Sequence, residues 1–215
     1  MPNLVVLRVW VNVNRKRCCR DLANSKRYGN LFIVSGPSGA GKGTLVARLL
    51  QSVSDAWLSV SATTRKPRNG EIDGIHYFFL DESAFKHLIS DDGFLEWALV
   101  HGNYYGTLRS AVEDHIQAGD QVILEIDVQG ALQVREKMPD AHLIFIEPPS
   151  IGELERRLRG RGTESEDVIV KRMQTAHLEL SQKMEYDIQL VNDDLDQAAN
   201  ELIAIVNSFA ERKKE

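Results

Sequence analysis

Cysteine is nearly absent from this chain of 215 residues. The two that occur, Cys18 and Cys19, are adjacent, so they can form neither a disulfide framework nor the spaced ligand pairs of a zinc site. The six histidines also lack metal-ligand spacing. Long apolar runs are missing too, since none approaches the ~20 residues that a membrane-spanning helix needs. We therefore expect a reducing compartment, the cytoplasm, and no membrane partner.

Positive charge is scarce outside the N-terminal segment. Residues 1–28 carry seven Lys or Arg and one Asp, so the rest of the chain has a net charge of −11 against a total of −5. An acidic body disfavours nucleic-acid binding, and any anionic ligand must be held by local positive groups. We expect residues 1–28 to be a poorly ordered extension, which an upstream start codon would explain. An Arg-rich but serine-poor transit peptide and a nucleic-acid-binding arm stay open.

From Asn30 onward, short apolar runs alternate with stretches of helical periodicity. The runs LFIVS, QVILEID, AHLIFIEPP and YDIQLVN are typical of buried strands, and helix-like segments lie between and after them. This alternation predicts an α/β fold of the P-loop NTPase type, a parallel sheet with helices on both faces. Asp194 is predicted to cap the closing helix. Residues 60–106 interrupt the alternation with a turn-rich stretch, the aromatic strand IHYFFL and a helix near ESAFKHLIS, and we interpret them as an inserted lobe.

A glycine-rich stretch, GPSGAGKGT, follows the first strand and precedes a helix. Glycines allow successive backbone N–H groups to turn inward and bind an anion, and Lys42 is spaced to reach the β- and γ-phosphates. The order strand, loop, helix makes a solvated turn a poor alternative. The predicted ATP-binding residues are Gly36, Pro37, Ser38, Gly39, Ala40, Gly41, Lys42, Gly43 and Thr44.

Gly43 stands where most such loops have the Ser or Thr whose hydroxyl binds magnesium. Magnesium readily keeps several waters, so an enzyme that holds the ion mainly through phosphates can do without that hydroxyl. We expect an adapted loop, with Mg²⁺ bound together with ATP and no direct protein ligand assigned.

A second basic motif lies in the inserted lobe. Arg65 and Arg68 are three residues apart, and arginine forks match phosphate oxygens in pairs. Tyr77 and Tyr105 could add hydroxyl donors to the same group. On spacing alone, a basic surface loop with core aromatics is an equal alternative.

Several stretches together resemble a known family. They are SGPSGAGKGT, SATTRKPRNGEIDGIHYFF, FLEWALVHGNYYGT, LEIDVQGA, FIEPPS, RLRGRGTES and IVNDDLD. They resemble the guanylate kinases, P-loop nucleoside monophosphate kinases, over essentially everything from Asn30 to the end. The resemblance implies the reaction ATP + GMP ⇌ ADP + GDP, with dGMP as a further acceptor, and makes residues 60–106 the GMP-binding lobe.

Site residues follow from the resemblance by position. It implies that Arg65, Arg68 and Tyr77 hold the GMP phosphate with help from Tyr105, and it places Glu71 in the same site. Guanine would be bound by Ser61, Glu96 and Thr107, with Asp127 nearby. A carboxylate is the matching acceptor for the two donors on one edge of guanine, N1–H and the exocyclic amine. Glu125 stands where the family also has Asp, and it could act on magnesium through water.

The resemblance also implies a mobile lid, residues 157–172, with Arg157, Arg161 and Arg172 delivered to the transferring group. A helix surface paired with Glu153 and Glu155 is the alternative. The catalytic set is then Lys42, Arg65, Arg157, Arg161 and Arg172. The core of the domain, residues 29–215, would comprise 29–59, 107–156 and 173–215.

Three other functions fit the sequence less well. A silent interaction module on the same fold tends to lack the phosphate loop, which is present here. An AMP kinase or a GTPase fits poorly with Glu96 and with the missing loop hydroxyl. Nucleic-acid binding would rest on residues 1–28 alone. The sequence leaves monomer and homo-oligomer undecided.

Overall fold

The computed structural model describes residues 27–160 and 165–211. The strands in this part of the chain are β1 (Asn30–Ser35), β2 (Ala56–Leu58), β3 (Ala62–Thr63), β4 (Phe78–Phe79), β5 (Phe94–Val100), β6 (Asn103–Leu108), β7 (Gln121–Glu125), β8 (His142–Glu147) and β9 (Ile188–Val191). The helices are α1 (Lys42–Ser52), α2 (Glu82–Ser90), α3 (Arg109–Gln117), α4 (Val128–Lys137), α5 (Ile151–Arg159), α6 (Glu166–Ser181) and α7 (Leu195–Ala210). None of these helices has the length and apolar character needed to cross a bilayer.

Five strands form a parallel sheet in the order β2-β7-β1-β8-β9. Side chains of β1 alternate between two apolar clusters: Phe32 and Val34 pack with α1 and α7, and Leu31 and Ile33 pack with α3 and α4. Helices therefore cover both faces, and the predicted α/β fold is confirmed. Parallel strands bring their carboxyl ends to one edge of the sheet, where ligands of such folds bind.

Four strands form a second, mixed sheet in the order β4-β3-β6-β5. Its core stacks Phe85 on Phe94, with ring centroids 4.2 Å apart. The β5–β6 hairpin turns through His101 and Gly102, whose positive φ values of 49° and 79° suit the tight turns that match strand twist. This sheet lies within the predicted inserted lobe and its flanks.

The predicted strand IHYFFL is shorter in the structure, where only Phe78–Phe79 is strand. The residues before it form a tight turn, since the backbone N–H groups of Ile75 and His76 both donate to the carbonyl of Ile72. Five of the helices and strands named above were not predicted from the sequence: β2, β3, β5, β6 and α3. Helix α3 buries only Val112, so its apolar periodicity is weak.

Salt bridges join the second sheet to the helices of the first. Asp92, between α2 and β5, accepts from Lys137 at 2.7 Å and from Arg109 at 2.6 Å. The Lys137 ammonium also donates to the Phe94 carbonyl at 2.7 Å. These contacts fix the base of the lobe against α3 and α4.

Arg27 and Tyr28 are hydrogen-bonded to the core, although the sequence analysis assigned them to the extension. The Arg27 guanidinium donates to Asp55 at 2.7 Å and to Asn207 at 2.9 Å. The Tyr28 N–H donates to the Ala210 carbonyl at 2.9 Å. Residues 1–26 lie outside the described part of the chain.

Candidate active site

The glycine-rich loop joins β1 to α1 along a path that only glycine permits at two points. Gly36 has φ 139°, and a Cβ there would stand 2.0 Å from the Ile146 carbonyl oxygen of β8. Gly41, immediately before α1, is left-handed with φ 96°. The loop therefore passes against the sheet and turns directly into the positive N-terminal end of α1, a geometry suited to binding phosphate.

Lys42 folds back over the loop that precedes it. Its ammonium donates to the Gly36 carbonyl at 2.6 Å and to the Pro37 carbonyl at 3.2 Å. Its charge also acts on Glu125 at the end of β7, where desolvation by the surrounding protein raises the pKa of the carboxyl and Lys42 opposes that rise.

Gly43, in the first turn of α1, faces Glu125 at the end of β7. A Cβ at Gly43 would lie 3.6 Å from each carboxylate oxygen of Glu125. The Glu125 carboxylate therefore lies beside the position where a loop hydroxyl would project. Within residues 27–160 and 165–211, no group of three or more His, Cys, Asp or Glu side chains is arranged to hold a metal ion.

Asn192, for which the sequence analysis assigned no role, ties the loop to its neighbours. Its buried side-chain amide donates to the Ala40 carbonyl at 2.7 Å, and its backbone carbonyl accepts from the Arg157 guanidinium at 3.0 Å. The backbone N–H of Asn192 donates to the backbone carbonyl of Glu147 at 2.8 Å. The available signal was its position just after β9, where the strand's carboxyl end meets the ligand edge of the sheet.

The predicted lid arginines lie around this loop to different extents. Arg157 is held by Glu153 at 2.8 Å and by Asn192, and Arg172 contacts the Ser38 hydroxyl at 3.4 Å. Arg161 lies outside the described residues. Arg156 forms an ion pair with Glu153, and Arg159 forms one with Glu155. For these two arginines, this is the helix-surface pairing that the alternative interpretation predicted.

The acceptor motif is organised around one ion pair. Arg65 donates to both carboxylate oxygens of Glu71, at 2.8 and 3.0 Å, and the Arg68 backbone N–H donates to Glu71 at 2.7 Å. The hydrogen bond from Arg65 is the main cause that lowers the pKa of Glu71 to about 2. The Arg65 guanidinium lies 5.3 Å from the ring centroid of Tyr77, and the Tyr105 ring packs edge-on against that ring at 6.1 Å.

A cavity of about 200 Å³ separates the two sheets at this edge. Its walls include the predicted residues Ser61, Tyr77, Thr107 and Glu125. The phosphate loop borders the same region, because Gly43 faces Glu125. The side chain of Arg68 is exposed at the lobe surface.

Glu96 is a buried acid behind this cavity, with 8% of its surface exposed. One carboxylate oxygen accepts from the Thr107 hydroxyl at 2.6 Å, and the other would lie 3.3 Å from a Cβ at Gly130. Burial raises the pKa of Glu96, and the charge of Asp127 raises it further. Asp127 itself caps α4 by accepting from the Gly130 N–H at 2.8 Å.

The amino-acid sequence is similar to those of known proteins. The family model described as guanylate kinase matches residues 28–209. A guanylate kinase of Escherichia coli (strain K12) is 55% identical over 182 residues, covering 84% of this chain and 88% of the relative. One from Prochlorococcus marinus (strain NATL2A) is 51% identical over 174 residues, covering 81% of this chain and 94% of the relative.

The structure is also similar to a solved one. The crystal structure of guanylate kinase from Anaplasma phagocytophilum matches with a TM-score of 0.66 at 33% identity, covering 87% of this chain and 89% of that one. The described part of both sheets and the glycine-rich loop lie inside the matched family range.

Proposed function

The chain belongs to the guanylate kinase family and phosphorylates GMP to GDP with ATP, and we propose that the transfer takes place across the cavity between its two sheets. One observation carries the placement. Glu125, which faces Gly43 of the glycine-rich loop, lines this cavity together with Tyr77 and Thr107. Tyr77 lies beside Arg65, and Thr107 is hydrogen-bonded to Glu96. Donor and acceptor phosphates would then meet between two sets of positive groups.

On the donor side, residues 36–44 bind the ATP phosphates. The left-handed glycines and the N-terminus of α1 present backbone N–H groups, and Lys42 supplies a point charge for the β- and γ-phosphates. Asn192 holds the Ala40 carbonyl, which keeps the loop in shape while phosphates bind and leave.

On the acceptor side, Arg65 and Arg68 take the GMP phosphate, with Tyr77 and Tyr105 beside them. Glu71 contributes through its contacts with both arginines. The base is read by Glu96, with Ser61, Thr107 and Asp127 around it. The Thr107 hydroxyl occupies one Glu96 oxygen, so the carboxylate is fixed before guanine arrives.

No side-chain nucleophile is needed for this reaction. The GMP phosphate oxygen is already anionic, so in-line transfer depends on position and on charge compensation. Arg172 contacts Ser38 of the loop, and Arg157 contacts Asn192, which is bonded to the loop at Ala40. Together with Arg161 they would stabilise charge on the transferring group and exclude water. Residues 157–172 are the proposed lid, and residues 60–106 are the proposed GMP-binding lobe. The proposed core comprises residues 29–59, 107–156 and 173–215.

The residues at the loop fit a magnesium ion that arrives with ATP. The Glu125 carboxylate is an oxygen donor, of the kind magnesium prefers, and it faces the side-chain-free position of Gly43. Glu125 would hold ion-bound water, and Gly43 would leave room for it. When bound, the ion neutralises charge on the β- and γ-phosphates. We also propose that dGMP is a further acceptor and that the enzyme works in the cytoplasm.

The test is ADP release, measured with a coupled assay for GMP, AMP, CMP and UMP in turn. GMP should be the preferred acceptor. Lys42→Ala should lower activity by at least about a hundredfold, equivalent to ~2.7 kcal/mol of transition-state stabilisation, with an unchanged fold. Lys86→Ala, which removes a lysine paired with Glu82 on the surface of α2, is the matched control and should keep full activity. Substantial activity in Lys42→Ala would refute the role assigned to the loop.

A further inference from the structure

Glu71 is unusual among the acids of the lobe because it contacts both arginines of the acceptor motif. It binds the Arg65 guanidinium through both oxygens, and one of those oxygens also accepts the Arg68 N–H at 2.7 Å. The Arg65 and Glu71 side chains are only 15% and 17% exposed. A bidentate, partly shielded pair of this kind has a defined geometry, which an exposed ion pair generally lacks.

These contacts fix which edge of Arg65 remains available. Glu71 takes the terminal edge, formed by Nη1 and Nη2, and Nη1 also donates to the Lys66 carbonyl at 2.8 Å. The Tyr105 side chain is a further hydrogen-bonding partner of Arg65, and Nε is not among the atoms that contact Glu71 or Lys66. Nε and the second proton of Nη2 form the lateral edge of the guanidinium, which can bind two phosphate oxygens at once.

The aromatic ring of Tyr77 restricts the guanidinium from a further side. Arg65 lies 5.3 Å from the centroid of that ring and 6.0 Å from that of Phe79. The nearby rings limit the positions open to the guanidinium, and the bidentate contact with Glu71 limits its rotation. The two constraints together restrict the orientation of Arg65.

We propose that Glu71 is a positioning residue, which holds Arg65 by its terminal edge so that the lateral edge meets the phosphate of GMP, and which does not itself touch GMP. The inference rests on the proposed function, because that function places the acceptor phosphate at Arg65. Direct contact is disfavoured, since a carboxylate that stays ionised repels a phosphate dianion. Its stabilising partner is the arginine.

Two other roles for Glu71 lead to different kinetics. If Glu71 bound GMP directly, its removal would matter whether or not Arg65 is present. If Glu71 competed with phosphate for Arg65, its removal would strengthen GMP binding and lower the KM for GMP. Positioning predicts weaker use of GMP, and only through Arg65.

The experiment is a double-mutant cycle with Glu71→Gln and Arg65→Ala, measuring kcat and KM for GMP and for ATP. Glu71→Gln should lower kcat/KM for GMP by about ten- to a hundredfold, as expected when a catalytic cation is misoriented by about an ångström. The KM for ATP should stay within about twofold. In the Arg65→Ala background the same substitution should change kcat/KM by less than about threefold, because its target is gone.

Glu82→Gln is the matched control, since it removes one carboxylate from an exposed pair with Lys86 in the same lobe. It should leave all parameters within about twofold. A full effect of Glu71→Gln in the Arg65→Ala background, or a kcat/KM for GMP that rises or stays unchanged, would overturn the proposal. If Arg65→Ala alone leaves GMP kinetics unchanged, the acceptor site itself is wrongly placed, which is a failure of the proposed function.

The fold of each variant is checked by its melting temperature. Should Glu71→Gln unfold, Glu71→Asp provides a second test, because it keeps the charge but reaches less far. Its loss of kcat/KM should then be smaller than that of Arg65→Ala and should vanish in the Arg65→Ala background. A loss that persists there contradicts positioning.

Discussion

In the proposed function Glu96 has to be ionised to accept the two donors of guanine, yet it is buried and lies near Asp127. Burial raises the pKa of Glu96 in the folded protein above its value in the unfolded chain, so the folded state binds the proton more strongly. Ionising Glu96 therefore costs stability as the pH rises through the interval between these two pKa values. In the proposed function this loss of stability accompanies the recognition of guanine.

We predict that Glu96→Gln damages the use of GMP and stabilises the protein at neutral pH. Glutamine keeps the acceptor for Thr107 but presents an NH₂ donor to guanine, so kcat/KM for GMP should fall by roughly ten- to two-hundredfold, with the KM for ATP nearly unchanged. The gain in melting temperature over wild type should be small at a pH below both pKa values and should grow towards neutral pH. AMP should remain a poor acceptor.

Steady-state kinetics and thermal unfolding from pH 4 to pH 8 check this prediction. A variant that uses GMP like wild type would show that Glu96 does not read the base. A stability difference that shrinks with rising pH would contradict the assigned direction of the pKa shift.

Some residues of the site could be predicted from the sequence and others could not, for a physical reason. Lys42 and the glycines before it act within one short loop, so their spacing along the chain reflects their geometry. Gly43 and Glu125 face each other from distant parts of the sequence, as do Asn192 and Ala40. Only the sheet topology brings the members of each pair together, so no local sequence pattern predicts that they are in contact.

At the scale of elements, the N-terminus of α4 lies against Glu96, the acid proposed to bind guanine. Asp127 caps the helix, and Gly130, in its first turn, leaves space for the Glu96 carboxylate, which would lie 3.3 Å from a Cβ there. That distance is too short for an unstrained contact, so a side chain would displace Glu96 by a few tenths of an ångström.

We predict that Gly130→Ala lowers kcat/KM for GMP by about tenfold, equivalent to about 1.4 kcal/mol, without destabilising the protein. Alanine favours a helix over glycine by up to ~1 kcal/mol, which offsets the local crowding. Gly152→Ala in α5 is the control, because a Cβ there meets only the Ser150 hydroxyl at 4.0 Å. Equal GMP kinetics in the two variants would contradict the link between α4 and Glu96.

The elements themselves were predictable where their apolar pattern was strong. Strands β1, β7 and β8 are apolar runs in the interior of the sheet, and β9 forms one of its edges. Helices α1 and α7 carry a clear apolar stripe. The edge strand β2 has three half-buried residues, and α3 buries one side chain. Such elements owe their structure to neighbours that the local sequence does not reveal.

For the molecule as a whole, the described contacts of the N-terminal segment begin at Arg27. Its guanidinium neutralises Asp55, which is buried with 6% of its surface exposed, and also reaches Asn207. Removing Arg27 would leave the Asp55 carboxylate with a poorer partner, and the unfolded chain hydrates that charge freely.

We predict that deleting residues 1–26 leaves the melting temperature and GMP kinase activity nearly unchanged. Adding Arg27→Ala to that deletion should cost about 1–3 kcal/mol of stability and lower the melting temperature by several degrees. Thermal unfolding and the coupled assay check both variants. A large loss from the deletion alone would show that residues 1–26 contribute to stability.

The insertion of one sheet between strands of the other has a consequence for how the chain folds. Strand β1 finds its partners β7 and β8 only after the whole of residues 62–108 has been passed, and loops of that length are slow to close. The β5–β6 hairpin closes through the two-residue turn at His101 and Gly102. In pulse-labelled hydrogen exchange during refolding, amides of this hairpin should gain protection before those of β1, and the reverse order would contradict it. The proposed GMP-binding lobe would then be the part of the enzyme that folds first, ahead of the sheet whose glycine-rich loop is proposed to bind ATP.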